Sequence, residues 1–159
     1  MINKNVKFCE CCGQPIIDYR VTLTKRNLIW LYALGWLGKS KYSDTGYWVN
    51  YKEVHELVAK NFGREINGKW KPMVISGYSK MADKPWELIE NSDIDKEKWK
   101  SRGDWRLTSK GISFINNKIQ VPEIARFKFD GCYSTSRLIY AHEVKGVNFN
   151  DLTDLFNSF

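Results

Sequence analysis

Three of the four cysteines fall within one short stretch, residues 9–12, where their spacing suits metal or thiol chemistry. The Cys-x-x-Cys-Gly pattern that begins at Cys9 matches one half of a zinc ribbon, in which two thiolates ligate the metal. A structural zinc needs four ligands, and the sequence has no second Cys-x-x-Cys pair. The spacing therefore predicts zinc at Cys9 and Cys12, and Cys132 and His142 are the candidates that would complete the site.

Other interpretations of these thiols remain open. Cys11 and His55 are further candidate ligands, and a second chain would close a site built only from cysteine pairs. The cysteines are alternatively free thiols of a reduced, cytosolic protein. A redox pair is less favoured because no βαβ pattern follows the cysteines, and a disulfide framework is less favoured because no secretory signal is recognisable.

Residue patterns that are typical of enzymes are missing. The sequence has two histidines and contains no Gly-rich phosphate loop, no HExxH and no GxSxG. Cys132 and His142 would suit a nucleophile and its base, but no third group is in place to orient the histidine. Asp104 and Asp130 would suit a metal-dependent nuclease, yet no motif joins them. We therefore predict a protein that is not an enzyme.

The charge of the chain favours a polyanionic partner. The 25 Lys and Arg residues exceed the 18 Asp and Glu residues, which gives a net charge of +7. The excess lies in residues 1–110, because residues 111–159 are neutral. A basic region beside a neutral one suits nucleic acid, although a solvated basic surface has the same composition.

The composition also argues against two classes of protein. Apolar residues make up 43% of the chain and aromatic residues 14%, which is too many for a disordered protein. The longest apolar run, Leu28 to Leu37, is far shorter than the roughly 20 residues that a membrane span needs. We therefore expect an intracellular, cytoplasmic protein with no membrane partner.

Two helices are predicted in the first part of the chain. Thr24 is a suitable N-cap, and Gly38 a suitable stop, for a helix that is apolar on nearly every face. Such a helix is expected at the centre of a core. Asn50 caps a second helix, residues 51–61, whose apolar residues fall on one face.

A third helix is predicted after a basic connector, residues 63–75. This helix extends over residues 76–90. Pro85 lacks an amide proton and clashes with the preceding turn, so we expect a kink or break near residues 83–84.

The rest of the chain alternates charged, strand-like and short helical segments. Residues 91–103 are charged, and a strand follows with Trp105 and Leu107 inward and Arg106 outward. Further predicted elements are a short helix after Thr108, strands at Ile119–Val121, Ala125–Phe129 and Cys132–Tyr140, and a final helix after Asn150.

This order of elements, together with the motif Leu-Thr-x-x-Gly-x-x-Phe at residues 107–114, resembles the winged-helix proteins, especially short ones of phage and prophage type. The resemblance covers residues 22–122. It implies a winged helix-turn-helix core. With the segments outside this core, we predict an α+β fold that has a short N-terminal Cys knuckle (residues 1–21) and a β-rich C-terminal extension with a short helix packed on it (residues 123–159). In such a core the third helix faces the DNA major groove, and the hairpin, or wing, contacts the backbone.

The resemblance implies a small, regulatory DNA-binding protein, encoded by a phage or mobile element. Its Lys and Arg side chains would neutralise phosphates. The implied contacts are Tyr78, Ser79, Lys80 and Lys84 of the third helix, and Lys96, Lys98, Lys100 and Arg102 of the wing. The basic composition of the connector, apart from the resemblance, adds Lys69 and Lys71.

Two departures from the winged-helix pattern leave a second function open. About fourteen residues separate the second and third helices, where a helix-turn-helix has three or four. Pro85 also interrupts the presumed recognition helix. The same scaffold would alternatively bind and inhibit a host protein or ribonucleoprotein, which the seven Trp, eight Tyr and eight Phe favour.

A homodimer is a further prediction from the C-terminal end of the chain. Leu152, Leu155 and Phe156 form an apolar stripe at helical spacing. The stripe would pair with a second copy or, alternatively, dock on its own domain.

Overall fold

The computed structural model describes residues 7–13, 15–16, 19–40, 44–92, 94–95, 100–101, 103–128, 131–148, 150 and 152. Helices and antiparallel sheets are mixed along this part of the chain, which confirms the predicted α+β class. None of the helices in these ranges has the length and apolar character needed to cross a membrane. The helices are α1 (Lys25–Leu37), α2 (Tyr51–Asn61) and α3 (Ser109–Ile115), with 3-10 helices at Tyr78–Ala82 and Ala141–Glu143.

The strands in these ranges are short, and all of them pair in antiparallel fashion. They are β1 (Lys7–Phe8), β2 (Pro15–Ile16), β3 (Tyr19–Thr22), β4 (Val49–Asn50), β5 (Gly63–Ile66), β6 (Lys69–Pro72), β7 (Ile89–Asn91), β8 (Ile94–Asp95), β9 (Lys100–Ser101), β10 (Asp104–Leu107), β11 (Val121–Pro122), β12 (Ile124–Lys128), β13 (Gly131–Thr135) and β14 (Leu138–Ile139). Two sheets have three strands each, in the orders β4-β10-β7 and β13-β12-β3. The other sheets are the pairs β1-β2, β5-β6, β8-β9 and β11-β14.

Helix α1 is the centre of the core, as its apolar sequence predicts. The Thr24 hydroxyl oxygen accepts a hydrogen bond from the Asn27 amide, and the Asn27 side chain accepts one from the Thr24 amide. Both predicted ends are confirmed, because Gly38 closes the last turn. Every residue from Leu28 to Gly35 is buried, so apolar groups surround the helix on all sides.

The sheet β4-β10-β7 packs on α1 and separates a buried face from an exposed one. Trp105 and Leu107 are buried, and Arg106 lies on the other face, as the alternation predicts. Arg106 forms a salt bridge with Glu90 of β7, and its guanidinium lies 4.2 Å from the centroid of the Trp48 ring. The outer face of this sheet is therefore occupied by a mixed-charge pair and an aromatic ring.

The predicted third helix over residues 76–90 is wrong in extent. The chain forms a five-residue 3-10 helix, Tyr78–Ala82, and then enters β7. The predicted break is confirmed, since Asp83 has extended backbone angles and Pro85 cannot donate to a helical hydrogen bond. Glu87 has a φ of 50°, which turns the chain away from any helical path.

The predicted connector over residues 63–75 contains an ordered hairpin, β5-β6. Asn67 and Gly68 form its two-residue turn, with φ values of 52° and 74°. Both residues tolerate positive φ, and Asn-Gly is the strongest short sequence signal for such a turn. This signal was present in the sequence and would have identified the hairpin.

The Leu-Thr-x-x-Gly motif has a local structural role. The Thr108 hydroxyl accepts a hydrogen bond from the Gly111 amide at 3.0 Å and donates one to the Glu87 carbonyl at 2.7 Å. Gly111 allows α3 to approach the chain at Leu88, because a Cβ at residue 111 would lie 2.0 Å from the Leu88 carbonyl oxygen. The motif therefore caps α3 and presses it against the segment that leads into β7.

The N-terminal and C-terminal parts of the chain share one sheet. β3 pairs with β12, although more than 100 residues separate them in sequence. The predicted strand at Cys132–Tyr140 is two strands, because β13 pairs with β12 whereas β14 pairs with β11. Leu152 of the predicted dimer stripe is buried in the core, and the other two residues of the stripe lie outside the described residues.

Candidate nucleic-acid interface

Three cations lie on one face of the β5-β6 hairpin. Arg64 stands directly opposite Lys71, and Lys69 follows on the same face two residues from Lys71. All three side chains are exposed. Ile66 is the remaining side chain on this face, so the face carries positive charge and no acid.

The orientation of this face is set by Trp70 on the opposite side of the hairpin. The Trp70 indole donates a hydrogen bond to the Ala59 carbonyl of α2 at 3.3 Å, and its ring covers Gly63. Adjacent residues of a strand point to opposite faces. Because Trp70 faces α2, Lys69 and Lys71 face away from the helix and toward solvent.

The opposed cations are electrostatically unfavourable in the isolated chain. Like charges directly opposite each other on antiparallel strands destabilise the pairing. Arg64, Lys69 and Lys71 have no ion-pair partner among the described residues. An anion that binds between the side chains would relieve this repulsion. Lys69 and Lys71 were predicted from the sequence; Arg64 was missed because the hairpin was not identified.

Tyr78, a predicted DNA contact, lies at a half-buried position in an aromatic cluster. Its ring stacks on Trp30 with centroids 4.4 Å apart, and it meets the rings of His55 and Trp105 edge-on. Burial raises the pKa of the Tyr78 hydroxyl, and Tyr51 adds to the effect. The ring therefore anchors the 3-10 helix to the core.

Lys80 is engaged within the protein. Its ammonium donates hydrogen bonds to the Tyr19 hydroxyl at 2.6 Å and to the Asp83 carboxylate at 3.2 Å. The hydrogen bond to Tyr19 raises the pKa of Lys80, so the ammonium stays charged and held. Ser79 and Lys84 are exposed. Asp83 and Glu90 line the open cleft beside the 3-10 helix, which makes that cleft a poor match for phosphate.

The predicted wing is described only in part. Two antiparallel pairs enclose the segment of the wing: β7 and β8 come before residues 96–99, and their partners β10 and β9 come after them. Lys100 is in β9, and Lys96, Lys98 and Arg102 lie outside the described residues.

The cysteine stretch forms the turn between β1 and β2. The Gly13 amide donates to the Cys9 carbonyl at 2.9 Å, and Gly13 has a φ of 69°. The Cys9 sulfur accepts hydrogen bonds from the Cys12 amide, the Cys11 amide and the thiols of both residues. These hydrogen bonds lower the pKa of Cys9, and the one from the Cys12 amide has the largest effect. Cys9 is partly exposed, and the other two thiols are exposed. The turn thus stabilises a Cys9 thiolate.

The other two predicted zinc ligands have separate local partners. The Cys132 thiol contacts the Ser134 carbonyl at 3.5 Å, and His142 stacks on Tyr140 and lies 3.1 Å from the Asn117 amide oxygen. No group of three or more His, Cys, Asp or Glu side chains within the described ranges could hold a metal ion. The described residues therefore do not bring Cys132 and His142 to the cysteine turn.

The chain was compared with family models, curated proteins and solved structures, and no match was found in any of the three.

Proposed function

We propose that this protein binds nucleic acid and that its ligand is duplex DNA. The hairpin face formed by Arg64, Lys69 and Lys71 contacts the phosphate backbone. The opposed Arg64 and Lys71 side chains are the observation that carries the proposal. A pair of exposed like charges costs stability in the free chain, and a bound polyanion turns the same arrangement into an attraction.

The element order supports a winged-helix scaffold for this activity. α1, β4 and α2 are followed by the inserted β5-β6 hairpin and the 3-10 helix, and then by β7 and β10, which pair with each other and frame the predicted wing. β4 joins the same sheet next to β10. The five-residue 3-10 helix is too short to lie along the major groove as a recognition helix. We therefore propose backbone contact through the hairpin and wing rather than base-specific reading through a third helix.

A salt titration of the unmodified protein tests the proposal. Binding of a labelled duplex DNA should be detectable at about 50 mM salt and should weaken steeply toward about 200 mM. The logarithm of the binding constant should fall linearly with the logarithm of the salt concentration. Absence of binding at low salt, or a binding constant that does not depend on salt, would show that the proposal is wrong.

A protein partner is the second candidate function. Tyr47 and Trp48 are exposed side by side, with Trp48 stacked against the Arg106 guanidinium. Exposed aromatic rings and arginine are favoured at the centres of protein interfaces. Capture of a host protein that survives nuclease treatment, and is lost in a Trp48→Ala variant, would support this function. Loss of every captured protein after nuclease treatment would leave nucleic-acid binding alone.

We also propose zinc at Cys9 and Cys12, with two further thiolates supplied by the same turn of a second chain. Amide donation to the Cys9 sulfur favours the thiolate form that zinc requires. We expect one zinc ion for each pair of chains and a dimer that a chelator dissociates. The Cys9→Ser variant should lose both properties, whereas Cys132→Ser should keep them. A monomer that retains its own zinc would contradict this arrangement.

A further inference from the structure

The outer face of the sheet β13-β12-β3 carries a second pair of opposed cations. Arg20 of β3 stands directly opposite Arg126 of β12, and Ser134 of β13 continues the same row. All three residues are exposed. Lys128 is exposed on the same face, two residues beyond Arg126.

The inner face of this sheet is fixed by aromatic packing, which leaves the arginines pointing outward. Phe127 is buried. Its ring stacks on the Tyr19 ring with centroids 5.4 Å apart and lies tilted against the Trp86 ring with centroids 6.0 Å apart. Since side chains alternate along a strand, Arg126 must occupy the opposite face from Phe127. A shift of one residue would bury the arginine and expose the phenylalanine, so the register is strongly specified.

The residue directly before β12 is an acid that is already engaged. Glu123 forms a salt bridge with Arg137 at 2.8 Å. Arg20 and Arg126 form no ion pair among the described residues. Arginine presents a planar group of donors that matches phosphate oxygens, and the Ser134 hydroxyl adds a neutral donor at the end of the row.

We propose that Arg20 and Arg126, with Ser134, form a second phosphate-binding surface that contacts the nucleic-acid backbone. This inference rests on the proposed function. The C-terminal segment, residues 111–159, is neutral as a whole, yet it contributes Arg126 to a basic surface that Arg20 of the N-terminal strand β3 completes.

Salt-dependent binding of labelled duplex DNA to an Arg20→Gln/Arg126→Gln variant tests the proposal. Each lost phosphate contact should reduce the salt slope by about 0.9, so the double variant should lose about 1.8. Its affinity at about 0.1 M salt should fall on the order of 10- to 100-fold. An Arg26→Gln/Lys118→Gln variant removes two exposed cations from other parts of the chain and should keep the original slope within about 0.5.

The melting temperature separates a binding defect from a folding defect. Removal of the opposed charges should leave it unchanged or slightly higher, because the substituted side chains are exposed and repel each other. A slope equal to that of the unmodified chain would overturn this surface while leaving the hairpin proposal intact. No binding by the unmodified chain would overturn both proposals.

Discussion

Replacement of Arg64, Lys69 and Lys71 by glutamine should reduce the affinity for duplex DNA by a factor on the order of 10²–10³ at about 0.1 M salt. The reason is the loss of three released counterions, each of which contributes about 0.9 to the salt slope. The slope itself should fall by about 2.7. Fluorescence anisotropy with labelled DNA, repeated across a salt series, measures both quantities.

A matched control keeps the total charge change the same. The Arg26→Gln/Lys118→Gln/Lys145→Gln variant also removes one arginine and two lysines, all of them exposed and outside both basic surfaces. It should retain most of the slope. Equal losses in the two triple variants would mean that only net charge matters and that the hairpin has no special role. The hairpin variant should fold normally, because Trp70 and the Asn-Gly turn, which hold the hairpin, are unchanged.

The Gly111→Ala substitution should cause a large loss of stability, about 3 kcal/mol or more. The added Cβ would lie 2.0 Å from the Leu88 carbonyl oxygen, and backbone atoms cannot rotate away as a side chain can. The substitution would push α3 from its seat on the chain before β7, where the Thr108 amide donates to that same carbonyl. A thermal melt should show a decrease of roughly 6–12 °C for a chain of this size.

The Gly46→Ala substitution provides the control for this prediction. A Cβ at Gly46 would meet its nearest atom, the Leu107 amide nitrogen, at 3.4 Å, which is ordinary van der Waals contact. Its melting temperature should stay close to that of the unmodified chain. If Gly111→Ala were equally well tolerated, α3 would not be packed against Leu88 as closely as described.

Helix ends and chain breaks could be predicted because their causes are local. Thr24, Asn50 and Thr108 each cap a helix through an amide two or three residues away. Pro85 cannot continue a helix, and the chain is already extended at Asp83. The β5-β6 turn is equally local, because Asn67 and Gly68 are themselves the signal for it.

The second basic surface, unlike the hairpin face, depended on contacts between distant segments. The sequence indicated a basic N-terminal region and a neutral C-terminal one, yet Arg126 lies beside Arg20 once β3 and β12 pair. Lys80 looked like an exposed contact, but Tyr19, sixty-one residues away, accepts its hydrogen bond.

Composition, charge and the short-range signals thus determined the α+β class and the position of the first two helices. Tertiary structure alone decided that Arg126 joins Arg20 and that Lys80 is engaged by Tyr19, since both depend on which distant segments meet. Register is set by the burial of aromatic side chains such as Phe127 against residues far along the chain, and spacing within one segment does not contain that information.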